Sequence, residues 1–208
     1  MVKSISYDQE EIIQWILDLH VPNKIIDLDP TYSKGNFYKG KILPPKYKYD
    51  IAPQFDDVLY ADIKNLPVPS DFLNCIMVDL PFLSTTGGSL KKEDNNNHIN
   101  KRFGVYRSEK ELFQSYKDSL TECYRILKTN GILIFKCQDK ISSSIQYMTH
   151  VFAINEAEKL GFYTKDMFIL LAKNRLTAAW QIANQKNARK FHSYFLVFEK
   201  SNKKVKYI

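Results

Sequence analysis

No stretch of this chain approaches the roughly 20 consecutive apolar residues that a membrane-spanning helix needs, so none is expected. The opening residues, MVKSISYDQEEIIQW, carry acidic groups where a secretory leader has its apolar centre, so secretion is not expected either. Cysteine is scarce. Cys75, Cys123 and Cys137 lie far apart, two of them in apolar strand-like runs, which argues against a disulfide framework and against zinc-ligand spacing. They read as reduced, buried thiols of a cytoplasmic protein with no metal site. The Gly-Lys-Ser/Thr ending of a nucleotide phosphate loop is absent, and there is no internal repeat.

What is present is ordinary for a globular domain: 208 residues, 44% hydrophobic and 25% charged. A single domain over residues 1–208 is the economical expectation. The net charge of +7 points toward a polyanionic partner. The abundance of Lys, Asn, Ile, Tyr and Phe is also what AT-rich codons produce, so clustering of the charge matters more than its sum.

Apolar runs predict strands near Lys24–Leu28, Lys46–Ile51, Val58–Ala61, Phe72–Val78, Ile132–Cys137, Tyr163–Ala172 and Ser193–Phe198. Helical periodicity predicts helices over Asp8–His20, with Asp8 as N-cap, over Lys110–Leu127, and over about Gln146–Leu160, ending at Gly161. Asn130-Gly131 should turn the chain into the strand ILIFKC. Alternating strands and helices imply an α/β fold with a mostly parallel sheet covered on both faces. The last two strands lack a full helix between them and should form an antiparallel hairpin at the sheet edge. Residues 83–107 are polar, rich in Gly and Asn, and without hydrophobic period; a loop of that length beside a strand tip suits a flexible substrate loop, and equally a plain insertion.

Ligands of open parallel sheets bind at the carboxyl ends of strands, so those tips are read together. Asp29, Asp50, Asp62 and Asp79 stand at successive tips. Any one alone fits a turn or cap, but a row of them would repel a phosphate-rich cofactor. It would suit one with a cationic centre, an amino-acid end and a free ribose. The tip VDLPF sets an acid, a proline and an aromatic ring side by side: either Asp79 starts a turn, Pro81 breaks the strand and Phe82 packs nearby, or the tip is a binding place for a flat aminated base.

The segments DPTYSKGNF, ADIKNLP, DLPF and LKTNGILIFK together resemble the class I S-adenosylmethionine-dependent methyltransferases. More narrowly, they are similar to the enzymes that methylate the N6 of adenine or the N4 of cytosine in DNA, and NQKNARKFHSYFLVFEK resembles the C-terminal hairpin of the phage- and prophage-type members of that family. The resemblance implies a Rossmann-like, seven-stranded, mostly parallel sheet with helices on both faces and an antiparallel edge hairpin. It implies S-adenosylmethionine as cofactor, its methionine part wrapped by Asp29, Pro30, Thr31, Tyr32, Ser33 and Gly35. Asp50 would hold the ribose, Asp62 would face the adenine amino group, and Ile63 would flank the ring. Asp79, Leu80, Pro81 and Phe82 would form the catalytic tip, Asp79 and the Leu80 carbonyl accepting from the target amino group while Phe82 stacks on the base. Ser33 stands where the family has glycine, and Leu80 where it has the first proline of Asp-Pro-Pro.

The resemblance makes DNA the expected partner, adenine N6 the first-choice target, and base flipping the route to the pocket. Arg102, Arg175, Arg189 and Lys190 are candidates for phosphate contacts. The short polar loop leaves little room for a recognition module, so relaxed specificity, a specificity subunit or a homo-oligomer is implied. An RNA base methyltransferase and an inactive binding module of the same fold are the alternatives. Lys136, inside a strand, either projects toward the site or snorkels at an edge.

Overall fold

The run Leu73–Asp79 is the strand from which the architecture follows, because its side chains are buried on both faces in alternation. Cys75 and Met77 pack into one core and Ile76 and Val78 into another. A strand buried on two sides must lie inside a sheet layered by helices. The computed structural model describes residues 1–82, 106–173 and 185–206, and it has that arrangement.

Ten strands are formed among the described residues: β1 (Ile5–Ser6), β2 (Leu28–Asp29), β3 (Tyr47–Asp50), β4 (Leu59–Tyr60), β5 (Leu73–Asp79), β6 (Leu127–Cys137), β7 (Lys140–Ser142), β8 (Ile145–Tyr147), β9 (Phe162–Leu171) and β10 (His192–Lys200). Eight of them make one sheet in the order β1-β9-β10-β6-β5-β2-β3-β4, one strand more than the expected seven. The added strand is β1, two residues pairing with Ile169 and Leu170, too short to carry a hydrophobic period. Only β10 runs against the rest. The β9–β10 pair is antiparallel as expected, but it is not the edge: β10 inserts between β9 and β6, and β1 covers the outer side of β9.

Among the described residues, three α-helices cover the sheet. Helix α1 (Gln9–His20) begins where the Asp8 carboxylate accepts from the Glu10 N–H at 2.8 Å, and it buries Ile12, Ile13, Ile16 and Leu17 on one face of the sheet. Helix α2 (Glu109–Ile126) starts at Ser108, whose hydroxyl accepts from the Glu111 N–H. It packs Leu112, Tyr116, Leu120 and Cys123 on the opposite face, beside Ala153 and Ala157 of α3 (Thr149–Leu160). That last helix ends at Gly161, where φ of 103° makes the left-handed C-cap that glycine permits. It begins three residues later than expected, because Gln146 belongs to β8 and a tight Ser143-Ser144 turn, both residues at positive φ, folds β7 onto β8.

The expected Asn130-Gly131 turn exists as a bulge inside β6. Asn130 has φ of 65°, and the pairing with β5 slips between Leu73↔Leu127 and Cys75↔Ile132. The chain runs outward from β2 to β4, then returns to β5 and continues the other way. The strand order therefore reverses between β2 and β5, and a crevice opens at their carboxyl ends. No helix among the described residues is long and apolar enough to cross a membrane.

Candidate active site

The turn after β2 is built around a buried carboxyl group. Asp29 is fully buried; one oxygen accepts from the Thr31 N–H at 2.8 Å and its hydroxyl at 3.0 Å, and the other from the Tyr38 hydroxyl at 2.9 Å. Burial pushes this carboxyl up to about 7, with the neighbouring Asp79 adding to the rise and the three hydrogen bonds opposing it. Thr31 in turn accepts the Asp79 N–H at 2.9 Å, so one hydroxyl ties the β2 turn to the tip of β5.

The rest of the turn is equally committed. The Tyr32 N–H donates to the Tyr49 carbonyl, the Ser33 N–H to Asp50 Oδ2 at 2.7 Å, and the Gly35 N–H to the Tyr32 carbonyl. With the Thr31 N–H, these donors of the turn point into the protein, so they do not form the open nest of N–H groups that cradles a phosphate. Ser33 and Gly35 both take left-handed backbone, at φ of 49° and 59°. A Cβ on Gly35 would come within 2.9 Å of the Tyr32 ring, so the glycine is required there. At Ser33 the left-handed conformation explains the family's glycine, and serine adopts it at about 1–2 kcal/mol. Its Oγ is buried with no hydrogen-bond partner.

Beyond this turn lies a cleft of 470 Å³ lined by the tips of β2, β3 and β5. Pro30, Thr31, Tyr32, Ser33, Asp50, Asp62, Ile63, Asp79, Leu80, Pro81 and Phe82 all face it, so the structure brings together most of the residues singled out from sequence. Gly35 and Asp29 do not line it; they shape the turn from behind. Asp50 receives the Ala52 N–H at 2.8 Å in addition to that of Ser33, and Asp62 receives the Lys64 N–H at 3.0 Å. Ile51 and Ile63 follow these two acids at the wall. Leu80 is 4% exposed and packs in the α2-side core, so the side chain replacing the family's first proline is absorbed there. The Tyr116 hydroxyl donates to the Pro81 carbonyl at 3.3 Å. Phe82 and Tyr106 put aromatic surface on the cleft, and the Tyr106 and Ser115 hydroxyls lie 2.9 Å apart.

Gln9, in the first turn of α1, and Phe37, in the 3-10 turn Asn36–Tyr38 that follows the β2 turn, line the cleft without having been singled out from sequence. Lys136, marked from sequence as an anomaly, is the instructive lining residue. It lies opposite Asp79 in the β5–β6 register, and its ammonium sits 2.9 Å from Asp79 Oδ2. An in-strand lysine is a detectable anomaly, and the pairing it makes here resolves the two readings in favour of the site. Arg189 and Lys190 lead into β10 half-buried, each with interactions of its own. Arg102 and Arg175, and residues 83–105 of the polar loop, lie outside the described residues; Tyr106 and Arg107 are inside them.

The polar fit is to a ligand with few phosphates. Asp50, Asp62, Asp79 and Glu111 face the cleft, no arginine does so among the described residues, and the orphaned Ser33 Oγ is left for a polar group. Fold and cleft together define the class I methyltransferase architecture. The profile of the N6/N4 DNA methylases matches residues 26–208, and the chain belongs to that DNA methylase family.

No curated protein matches the chain. Among solved structures it is similar to a Galdieria sulphuraria protein assigned as a sarcosine dimethylglycine methyltransferase, at 14% identity over 94% of this chain and 86% of that one, with a TM-score of 0.54. It also matches a Thermus thermophilus protein assigned as a DNA modification methylase, at 14% identity over 77% of this chain and 56% of that one, TM-score 0.45. A third match is the cytosine-N4-specific PvuII DNA methyltransferase, at 13% identity over 69% and 49%, TM-score 0.46. The chain thus spans about half the length of the DNA methyltransferases it matches.

Proposed function

We propose that this chain transfers a methyl group from S-adenosylmethionine to an exocyclic amino nitrogen of a DNA base, with adenine N6 the first choice. The observation that carries the proposal is the Asp79 carboxylate, one quarter exposed at the tip of β5, beside Phe82 in a cleft bounded by the β2 turn. Membership of the DNA methylase family supports it. Three free, buried cysteines suit a reducing, cytoplasmic setting.

The bound cofactor supplies an electrophilic methyl carbon on a sulfonium. Ser33, with the turn around it, and the carboxylates of Asp50 and Asp62 would hold its amino-acid end, ribose and adenine amino group, with Ile51 and Ile63 beside the ring. Asp79 accepts a hydrogen bond from the target amino group, raising electron density on that nitrogen and aiming its lone pair at the methyl carbon. It also provides an acceptor for the proton the nitrogen gives up as the N–C bond forms. Phe82 stacks on the flipped base, a contact of about 1–3 kcal/mol in single-strand binders. Catalysis of this kind is positioning and polarisation, with no covalent nucleophile. Arg189 and Lys190 would contact phosphate and position the nucleic acid, DNA being preferred to RNA on the family's account alone; a specificity subunit or a second copy would supply sequence choice.

Asp79→Ala is expected to lower labelled-methyl transfer to duplex DNA by about 100-fold or more while calorimetric S-adenosylmethionine affinity stays within about threefold. Comparable transfer by the variant would contradict the assigned role. Phe82→Ala should weaken DNA binding and leave cofactor binding alone; unchanged DNA affinity would remove base stacking from the account. RNA of the same sequence, run in parallel, decides between the two nucleic acids.

A further inference from the structure

Lys136 is a cation set into the wall of a cleft read as holding a cationic cofactor, which calls for an explanation. Its Nζ lies 2.9 Å from Asp79 Oδ2, and at 5.1 and 5.8 Å from the ring centroids of Phe37 and Phe195. The side chain is only 15% exposed. Two aromatic faces and one carboxylate oxygen therefore confine the ammonium, which has little freedom to swing away. The strand register enforces this, since Asp79 and Lys136 are direct neighbours on β5 and β6. The pair projects toward the α1 side of the sheet, on which Met77 and Ile134 pack two residues earlier in each strand.

We propose that Lys136 is a positioning residue for Asp79, resting on the methyltransferase reading above. It ties Oδ2 and so leaves Oδ1, which has no partner among the described residues, as the oxygen offered to the target amino group. The backbone is fixed from the other side, where the Asp79 N–H is held by Thr31. A carboxylate with one oxygen occupied and its main chain anchored has one direction in which to accept. The lysine has a second consequence. It neutralises Asp79, so that a sulfonium and the neutral thioether left after transfer see nearly the same charge at this wall. A bare carboxylate would favour the sulfonium over the thioether; the neutralised pair discriminates less between them.

The experiment compares wild type with Lys136→Met, which keeps the stem and loses the charge, and Lys136→Arg, which restores the charge. Each is titrated calorimetrically with S-adenosylmethionine and with S-adenosylhomocysteine, and each is assayed for transfer. Lys136→Met should raise the ratio of sulfonium to thioether affinity by about fivefold or more, because the site gains a net negative charge. It should lower kcat by about tenfold or more through loss of alignment, with the DNA KM little changed. Lys136→Arg should return the affinity ratio to the wild-type value. An unchanged kcat in Lys136→Met overturns the positioning role, and an unmoved affinity ratio overturns the charge balance; equal weakening of both ligands would show structural damage in place of either. A wild-type chain that binds neither ligand overturns the methyltransferase reading itself, and the two failures are distinguishable.

Discussion

Asp29 is the carboxyl group on which the β2 turn is hung, and its protonation should be visible in stability. Its folded-state value of about 7 lies above the ordinary 3.8, chiefly because it is buried. Below about pH 4 the group is neutral folded and unfolded, and the stability associated with it is fully present. As pH rises toward 7 the unfolded chain releases a proton that the folded chain retains, and stability is lost, by on the order of 4 kcal/mol at full extent. Asp29→Asn keeps the acceptor for Thr31 and cannot titrate. Denaturant unfolding should therefore show wild type losing stability relative to Asp29→Asn between about pH 4 and about pH 7. Parallel pH profiles for the two proteins would contradict the assignment. The same carboxyl marks a limit of sequence reading. That an acid ends the first strand was legible; that Thr31 and Tyr38 consume its oxygens and leave it behind the cleft was not, because Tyr38 is brought back by a 3-10 turn with no hydrophobic period.

Between elements, the joint from β6 to α3 is held by another buried carboxylate. Asp139 is 3% exposed and accepts from His150 Nδ1 at 2.7 Å and from the His150 N–H at 3.2 Å. The His150 ring stacks on Tyr194 of β10 with centroids 4.3 Å apart, so one residue links three elements. Asp139→Ala should destabilise the fold by about 2–3 kcal/mol, as expected when buried donors lose their acceptor. A thermal midpoint unchanged within error would count against this joint. Elements of this kind explain the pattern of success. Strands with a two-sided apolar run, such as β5, and helices with a cap and a broad apolar face, such as α1 and α2, were legible because local pattern and tertiary burial agree. The β7–β8 hairpin was not, since Ser143-Ser144 is not the Asn-Gly signal of a tight turn. Nor was the sheet position of β10, which long-range pairing with β6 determines. The row of acidic strand tips was legible because parallel topology sends every tip to one edge, whereas the pairing of Lys136 with Asp79 depends on a register no local pattern encodes.

For the whole molecule, a net charge of +7 and basic residues leading into β10 would give the proposed nucleic-acid binding an electrostatic component. Arg189→Ala should weaken DNA binding similarly across sequences and reduce the slope of log affinity against log salt by about 1. A slope unchanged by the substitution would remove Arg189 from the phosphate contacts. The proposed function depends on the chemistry at the β2–β5 crevice. The most direct measurement is mass spectrometry of nucleosides from DNA incubated with the purified chain and methyl-labelled S-adenosylmethionine, in wild-type and Asp79→Ala forms. Labelled N6-methyladenine is expected with wild type and essentially none with the variant. Absence of any labelled base, or equal labelling by both proteins, would contradict the assignment.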